Sequence, residues 1–362
     1  MGGANDPVSL GAIARSLPRA VDAKPIWAQV NITWQCNLDC AYCSEYDNTK
    51  GHVATADVIA RIDKCADLGC VHTDLIGGEP LLHPDIDRLL RHVVSRGMTT
   101  GMTTNAFLLT EQRLAELIDA GIGRIQISVD AVKPTRATPK SLKTLRKKIE
   151  MVAKTDVWFR VNTVICDDTI DDVEEVARFC FELGVGVNFS VAHDRGRLVR
   201  GANDARILEK VRWLLDRKRE GHAVHTPYYL IRYYEEALQG RPFDWTCHGG
   251  QKAFYVSPEG QFHWCYHTPP QGSFLDVTPE HVAANGAKKG CERECGVDCV
   301  VHTSLPYSNL AEVARIEASE RLVELGMLVG GRRRAPIAPI ARATPAAKVR
   351  LPTVNGERRT LD

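Results

Sequence analysis

From residue 27 to about residue 194, short runs of β-branched residues alternate with longer stretches whose apolar residues recur at helical spacing. This alternation is typical of successive βαβ units, which build a parallel sheet covered by helices. Six repeats predict an α/β fold, a partial (β/α)6 barrel that is similar to the TIM barrel. The predicted strands are residues 28–33, 72–76, 99–104, 124–129, 158–165 and 186–191.

The stretches between the predicted strands have the amphipathic pattern of surface helices. Gly97, Gly121 and Gly184 are predicted to end three of them, because glycine readily adopts the left-handed conformation found after a helix. Thr55 is the predicted N-cap of the first helix. The predicted helices are residues 55–68, 85–95, 111–120, 141–153 and 173–183.

Three cysteines follow the first predicted strand. Cys36, Cys40 and Cys43 stand in the run CNLDCAYC, and this spacing brings three thiolates from one short loop to one metal centre. A [4Fe-4S] cluster normally takes four thiolates, so three leave one iron open to an external ligand. The alternatives are a structural zinc site, which usually adds a second C-x2-C pair, and a disulfide, which the lack of a secretory signal disfavours.

Further motifs follow the next three predicted strands. Gly77-Gly78-Glu79-Pro80 comes after the second strand, Asn105 after the third and Asp130 after the fourth. In parallel α/β folds, ligands bind at the carboxyl ends of the strands. We therefore expect these motifs and the cysteine loop to meet on one rim of the barrel.

The cysteine spacing, with Tyr42 directly before the last cysteine, resembles the radical S-adenosylmethionine (radical SAM) superfamily. The resemblance covers roughly residues 27–200. It implies that Cys36, Cys40 and Cys43 are the catalytic metal ligands and that the open iron binds the amino and carboxylate groups of S-adenosylmethionine (SAM). The cofactor-binding residues that it implies are Gly77, Gly78, Glu79, Asn105, Ser128, Asp130, Arg136, Arg160 and Asn162.

The resemblance also implies roles for several of these residues. Glu79 is expected to accept a hydrogen bond from the SAM ammonium group, and Ser128 is expected to hold the SAM carboxylate. Arg136 is similar in position to the arginine that often clamps that carboxylate, although the loop after Asp130 is shorter than in the commoner family pattern. Arg160 and Asn162 compete for that role and for the ribose hydroxyls.

A second cysteine-containing segment lies further along the chain. Residues 247–265 read as a β-hairpin with Cys247 and Cys265 at its ends, and this C-x12-G-x4-C arrangement resembles the SPASM and twitch domains of radical SAM enzymes. The resemblance implies one auxiliary [4Fe-4S] cluster, completed by two of Cys291, Cys295 and Cys299; Cys291 and Cys295 are favoured. A closed zinc site is the alternative, with His248, His263 and His267 as further ligand candidates.

The remaining chemically notable residues carry weaker expectations. Cys65, Cys70, Cys166 and Cys180 lack ligand spacing and are expected to pack as small buried hydrophobic residues, Cys166 lying nearest the rim. His193, Asp194 and Arg195, after the sixth strand, read either as loop polar residues or as a substrate anchor.

Five segments are predicted: an N-terminal extension (1–26), the radical SAM core (27–203), a helical linker (204–246), the auxiliary-cluster domain (247–328) and a disordered basic tail (329–362). Lys and Arg total 46 against 45 Asp and Glu, so we expect no nucleic-acid partner. No apolar run has the length of a membrane span, and a cytoplasmic location is expected.

The resemblance implies that SAM is reductively cleaved and that the resulting 5′-deoxyadenosyl radical takes a hydrogen atom from a substrate. Electrons would come from a flavodoxin- or ferredoxin-type donor. The favoured reaction is the oxidation of a small molecule, because about 26 residues before the first strand are too few for a peptide-recognition domain. The alternatives are a maturase of ribosomal peptides and a non-catalytic iron–sulfur or zinc protein that carries electrons or serves as a scaffold.

Overall fold

The computed structural model describes residues 22–241 and 243–324. The predicted basic tail and most of the predicted N-terminal extension lie outside these ranges. The main sheet contains eight strands in the order β10-β9-β1-β2-β3-β4-β5-β6. Its parallel core consists of β1 (Trp27–Asn31), β2 (His72–Ile76), β3 (Thr99–Thr104), β4 (Arg124–Ser128), β5 (Trp158–Ile165) and β6 (Gly186–Val191).

A helix connects each of these parallel strands to the next, which confirms the α/β partial barrel that the sequence predicts. The connecting helices are α1 (Thr55–Asp67), α2 (Ile86–Ser95), α3 (Glu111–Asp119), α4 (Leu142–Val152) and α5 (Val173–Glu182). Their apolar sides pack on the outer face of the sheet; Ile86, Leu89 and Leu90, for example, are completely buried.

Glycines end three of these helices as predicted, with φ of 76° at Gly97, 90° at Gly121 and 69° at Gly184. The prediction of Thr55 as an N-cap is wrong. The cap position of α1 is Ala54, and Thr55 is the first helical residue. Its hydroxyl donates to Asp85 Oδ2 at 2.5 Å, so this side chain joins α1 to the start of α2 rather than satisfying an amide of its own helix.

The inner face of the barrel is polar. Along β4, Ile125 and Ile127 are buried against the helices, whereas Arg124, Gln126 and Ser128 line a central cavity of about 300 Å³. This alternation follows from the two-residue period of a strand, which sends successive side chains to opposite faces. A barrel interior built of amides, hydroxyls and charges is suited to holding a polar ligand.

The segment after the sixth strand folds back onto the barrel. After β6 come the short strands β7 (His193–Asp194) and β8 (Arg197–Leu198) and the helices α6 (Asp204–Arg219) and α7 (Tyr228–Leu238). The predicted hairpin is present as β9 (Ala253–Val256) and β10 (Phe262–His263). Strand β9 pairs in parallel with β1, so the hairpin extends the barrel sheet.

Three further helices complete the described chain: α8 (Pro279–Ala283), α9 (Asp298–Ser308) and α10 (Leu310–Glu324). Glu320 on α10 is 4% exposed and pairs with Arg219 on α6 at 2.7 Å and with Arg232 on α7 at 2.5 Å. This three-residue cluster fixes the last helix against the preceding pair. Within the described ranges, no helix has both the length and the apolar character needed to cross a membrane.

Candidate functional site

The cysteine loop directly follows β1, and its three thiols reach the central cavity at the carboxyl ends of the strands. Cys36, Cys40 and Cys43 all line this cavity. Leu38 N donates to Cys36 Sγ at 3.4 Å, and Cys43 N donates to Cys40 O at 3.0 Å, which gives the loop a compact turn. Burial raises the pKa of the Cys43 thiol to about 12. Three thiols facing one cavity form a donor set that fits a metal cluster with one site left open.

Close packing within the protein requires glycine at both positions after β2. A Cβ on Gly77 would lie 2.7 Å from Thr33 Cγ2, and one on Gly78 would overlap the backbone oxygen of Gln35. Gly78 N also donates to Thr33 O at 3.0 Å. At both glycines the backbone packs closely on the segment that leads into the cysteine loop. These glycines therefore set the position of that loop.

Glu79 is 1% exposed and makes three hydrogen bonds. Its Oε1 accepts from Thr104 Oγ1 at 2.7 Å and from Leu81 N at 3.1 Å, while Oε2 accepts from Asn105 N at 2.8 Å. Burial raises the pKa of this carboxyl to about 7, although the three donors lower it. Since each carboxylate oxygen accepts two hydrogen bonds, Oε2 retains one acceptor position beside the cavity.

Asn105, at the end of β3, joins this carboxylate to the cysteine loop. Its side-chain Nδ2 donates to Asn37 Oδ1 at 2.8 Å and lies 3.9 Å from Cys36 Sγ. The same residue therefore contacts Glu79 through its backbone and the cysteine loop through its side chain. Cys36, Glu79 and Asn105 all line the cavity, so the motifs after β1, β2 and β3 meet on one rim.

Two residues at the carboxyl end of β4 have different roles: Ser128 faces the cavity, and Asp130 is a buried link between segments. Asp130 is completely buried and accepts from Tyr42 Oη and from Val164 N, the latter at 3.1 Å. It also pairs with Lys140, whose Nζ lies 3.0 Å from Oδ2. Asp130 thus holds the cysteine loop, through Tyr42, against the ends of β4 and β5.

The structure does not bring Arg136 to the cavity; its side chain is exposed. The cation of this loop that lines the cavity is Lys140, which sequence reasoning missed. Burial lowers the pKa of Lys140, but Asp130 outweighs this and holds it above the ordinary lysine value. Lys133, Arg136 and Lys140 look equivalent in the sequence, and no local signal ranks them.

Arg160 and Asn162 face the cavity from β5. Arg160 Nε donates to Gln126 Oε1 at 2.5 Å, and Asn162 Oδ1 accepts from Asn188 Nδ2 at 2.7 Å. Burial and the nearby Arg124 lower the pKa of Arg160 to about 9. Arg160 precedes Asn162 by two residues on the strand, so it lies about 6.5 Å deeper in the barrel.

The structure gathers cysteines of the hairpin region into a second group. Burial, together with the neighbouring Cys291 and Cys265, raises the pKa of Cys247 to about 12. Cys295 is buried and adjoins Cys247, Cys265 and Cys291. Cys291 and Cys295 flank a short 3-10 turn, Glu292–Glu294.

Cys299 adjoins Cys265 and Cys295 as well, but unlike the other four it faces the central cavity. It lies in the first turn of α9 and lines the central cavity, with Sγ 3.8 Å from Gln29 Oε1 on β1. Within residues 22–241 and 243–324, no three His, Cys, Asp or Glu side chains are grouped as ligands of a single metal ion. The thiolates of a [4Fe-4S] cluster bind different irons, so they need not converge on one point.

His193 and His267 both line the cavity, and their ring centroids are 4.8 Å apart. Burial lowers the pKa of His267 to about 4. Asp194 and Arg195 are largely exposed and do not belong to the cavity lining. His248 bonds to Gln251 at 2.7 Å and His263 to Thr268 O at 2.7 Å.

The remaining four cysteines lie away from both groups. Cys65, Cys70 and Cys180 are at most 6% exposed and pack in the core. Cys166, at the end of β5, is partly exposed, and its Sγ lies 3.4 Å from Thr169 Oγ1.

Comparisons with known proteins bear on this site. Residues 30–180 match the family model described as the radical SAM superfamily. The PqqA peptide cyclase of Bradyrhizobium diazoefficiens is 30% identical over 167 residues, which are 44% of this chain and 44% of that protein. The AdoMet-dependent heme synthase of Oleidesulfovibrio alaskensis is 26% identical over 182 residues, 47% of each chain. The chain thus matches about half the length of these curated relatives.

Solved structures share the fold over a longer part of the chain. Streptococcus suis SuiB bound to precursor peptide SuiA has a TM-score of 0.59 and 14% identity, covering 80% of this chain and 73% of SuiB. Native anSMEcpe with bound AdoMet and Kp18Cys peptide has a TM-score of 0.57 and 15% identity, covering 82% of this chain and 100% of that chain. At these identities the likeness concerns the fold alone.

Proposed function

We propose that this chain, whose residues 30–180 match the radical SAM superfamily model, is a radical SAM enzyme that cleaves SAM reductively and abstracts a hydrogen atom from a bound substrate. Cys36, Cys40 and Cys43 would hold the [4Fe-4S] cluster. When bound, this cluster supplies the electron that breaks the sulfonium C–S bond of SAM. The observation that carries the proposal is the presence of all three thiols on one cavity with Glu79, Asn105 and Ser128.

The residues on the cysteine side of the cavity would bind SAM. The free acceptor position on Glu79 would take the ammonium group, and Lys140 would hold the carboxylate because it is the cation next to the cysteine loop. Ser128 and Asn162 offer polar groups to the remainder of the molecule. Gly77, Gly78 and Asp130 would act by position, since they fix the loops that carry these side chains.

A second centre would receive an electron from the substrate. Cys247, Cys265, Cys291 and Cys295 would hold one auxiliary [4Fe-4S] cluster, beside the cavity that Cys299 and His267 line. This supports an oxidative reaction, in which the substrate loses a hydrogen atom and then a proton and an electron. A flavodoxin- or ferredoxin-type protein would supply the electron that starts each cycle.

The polar cavity supports a small polar molecule as the substrate. Modification of a peptide is the second candidate, and the likeness to a PqqA peptide cyclase favours it. Both candidates use the same centres and differ only in what enters the cavity. Mass spectrometry of products formed from candidate molecules and peptides would choose between them.

The test of the proposed function is SAM cleavage by anaerobically reconstituted protein. After reduction with dithionite, we expect 5′-deoxyadenosine to accumulate, detected by liquid chromatography. The Cys36→Ala variant should form none. The Cys180→Ala variant should retain the activity, because Cys180 lies in the hydrophobic core and does not line the cavity. A wild-type protein that carries its iron and forms no 5′-deoxyadenosine would refute the proposal.

A further inference from the structure

The deep end of the cavity contains a cation and a carboxylate that do not pair with each other. Arg160 lies there on β5, and Asp298 reaches it from the start of α9. The charged groups that interact electrostatically with the Arg160 guanidinium are Arg124, Asp298 and Asp74. The charged or titratable groups that interact in the same way with the Cys36 thiol, at the other end of the cavity, are Glu79, Cys40 and Lys140. Arg124 also lines the cavity but is paired with Asp74. Lys140 and Arg160 therefore serve opposite ends of the cavity.

The guanidinium of Arg160 is only partly satisfied by the protein. It donates to Gln126 at 2.5 Å and, more weakly, to Asn188 Oδ1 at 3.4 Å. Across the described part of the chain, no carboxylate lies within 4.0 Å of it. The nearby Asp74 is already engaged by Arg124 and by Trp27 Nε1 at 2.8 Å. Arg160 thus has N–H donors left that face the cavity.

Asn188 keeps the two charges apart. Its Nδ2 lies 3.5 Å from Asp298 Oδ2, while its Oδ1 accepts from Arg160. The amide is fixed in this position because it also bonds to Asn162 at 2.7 Å and to Thr226 at 3.1 Å. One rigid amide therefore separates the guanidinium from the carboxylate. Two partly buried opposite charges held apart in this way cost free energy until a partner meets each of them.

A ligand that carries both complementary charges would satisfy this arrangement. We propose that the deep end of the cavity binds the α-amino-acid head group of the substrate, with Arg160 holding its carboxylate and Asp298 its ammonium group. A guanidinium binds a carboxylate through two parallel N–H donors, and a carboxylate accepts from an ammonium group. The span of one amide with its two hydrogen bonds matches the size of such a head group. This inference rests on the proposed function only in identifying the ligand as the substrate.

The test uses glycine, acetate and acetamide as probes of the reconstituted full-length protein. Binding is followed by saturation-transfer difference NMR, with and without saturating S-adenosylhomocysteine. We expect glycine and acetate to bind in the millimolar range and acetamide not to bind. Arg160→Met should abolish the binding of both probes. Asp298→Asn should weaken the binding of glycine at least tenfold and change the binding of acetate by no more than twofold, since only glycine carries an ammonium group.

Arg195→Met is the matched control, because it removes the same charge from an arginine whose side chain is 87% exposed. It should change neither dissociation constant. Failure of both probes to bind the wild-type protein would overturn the proposal, and so would unchanged binding by Arg160→Met. If Arg160→Met does not fold, the Asp298→Asn variant decides the test: an equal loss of affinity for glycine and for acetate would overturn the proposal. Displacement of glycine by S-adenosylhomocysteine would assign the site to the cofactor and also overturn it.

The outcome is independent of SAM cleavage. Iron content and 5′-deoxyadenosine formation report on the proposed function, whereas the probes report on Arg160 and Asp298. A protein that binds glycine and cleaves no SAM would refute the proposed function alone. A protein that cleaves SAM but binds neither glycine nor acetate would refute this inference alone.

Discussion

Lys140 and Asp130 form a buried ion pair, with Nζ 3.0 Å from Oδ2, at the point where the cysteine loop meets the end of β4. The same carboxylate binds the hydroxyl of Tyr42, one residue before Cys43. Lys140 therefore stands next to two parts of the site at once: the loop that carries the thiols and the cavity that would receive SAM. Its position gives the first prediction.

We predict that Lys140→Met weakens the binding of S-adenosylhomocysteine to the reconstituted protein by about tenfold or more, because a charged hydrogen bond to the carboxylate is lost. The variant should also lose about 3–5 kcal/mol of unfolding free energy, since Asp130 is left without its cation. Calorimetric titration and thermal unfolding measure the two effects.

Arg136→Met is the control for that prediction, because Arg136 belongs to the same loop and is exposed. It should change the unfolding free energy by no more than about 0.5 kcal/mol and leave ligand affinity intact. Loss of affinity in Arg136→Met, with none in Lys140→Met, would show that the arginine and not the lysine binds SAM.

The second prediction concerns Glu79, whose carboxyl pKa burial raises from 4.5 to about 7. Between these values the folded protein binds more protons than the unfolded chain, so this group lowers stability as pH rises from about 4.5 to 7. Above pH 7 the full decrease in unfolding free energy caused by Glu79 is reached, on the order of 3 kcal/mol.

Glu79→Gln cannot titrate and should lack this loss. We therefore expect the unfolding free energy of Glu79→Gln, relative to wild type, to increase between pH 5 and pH 7.5, as measured by urea denaturation at fixed ionic strength. Comparison with wild type cancels the titration of all other groups. A difference that stays constant with pH would show that Glu79 titrates near its ordinary value.

The third prediction tests the role of the glycine pair. Gly78→Ala should destabilise the protein by about 1–3 kcal/mol, because the new methyl group overlaps the backbone oxygen of Gln35. Displacement of this segment should also lower the iron content after reconstitution, since Cys36 follows it directly. Urea denaturation and iron analysis give the two quantities.

Gly51→Ala provides the comparison, as a Cβ there meets nothing within 4 Å. It should be neutral or stabilise the protein by about 0.4–1 kcal/mol through the unfolded state. Equal effects of the two substitutions would show that Gly78 is not constrained by its contact with residues 33–35.

The fourth prediction separates Cys299 from the proposed auxiliary ligands. In a background of Cys36→Ala, Cys40→Ala and Cys43→Ala, the protein should retain about four irons per chain. Adding Cys295→Ala should remove most of this iron, whereas adding Cys299→Ala should not, because Cys299 faces the central cavity. Iron loss in the Cys299 variant, or bound zinc in place of iron, would contradict this assignment.

The sequence by itself determined the elements and their order. The predicted strands at residues 72–76, 99–104, 158–165 and 186–191 coincide with those observed, because strand and helix periodicities are local properties of the chain. The sequence also indicated that the motifs after β1, β2 and β3 share a rim, since parallel strands end on the same side of a sheet.

Only the tertiary structure decided which side chains face the cavity and what they contact there. It placed Lys140 inside and Arg136 outside, although one short loop carries both. It showed that Gly78 is needed for packing on Gln35, and that Asn188 holds Arg160 and Asp298 apart. Such relationships depend on the paths of loops and on contacts between residues far apart in the chain, which local periodicity does not encode.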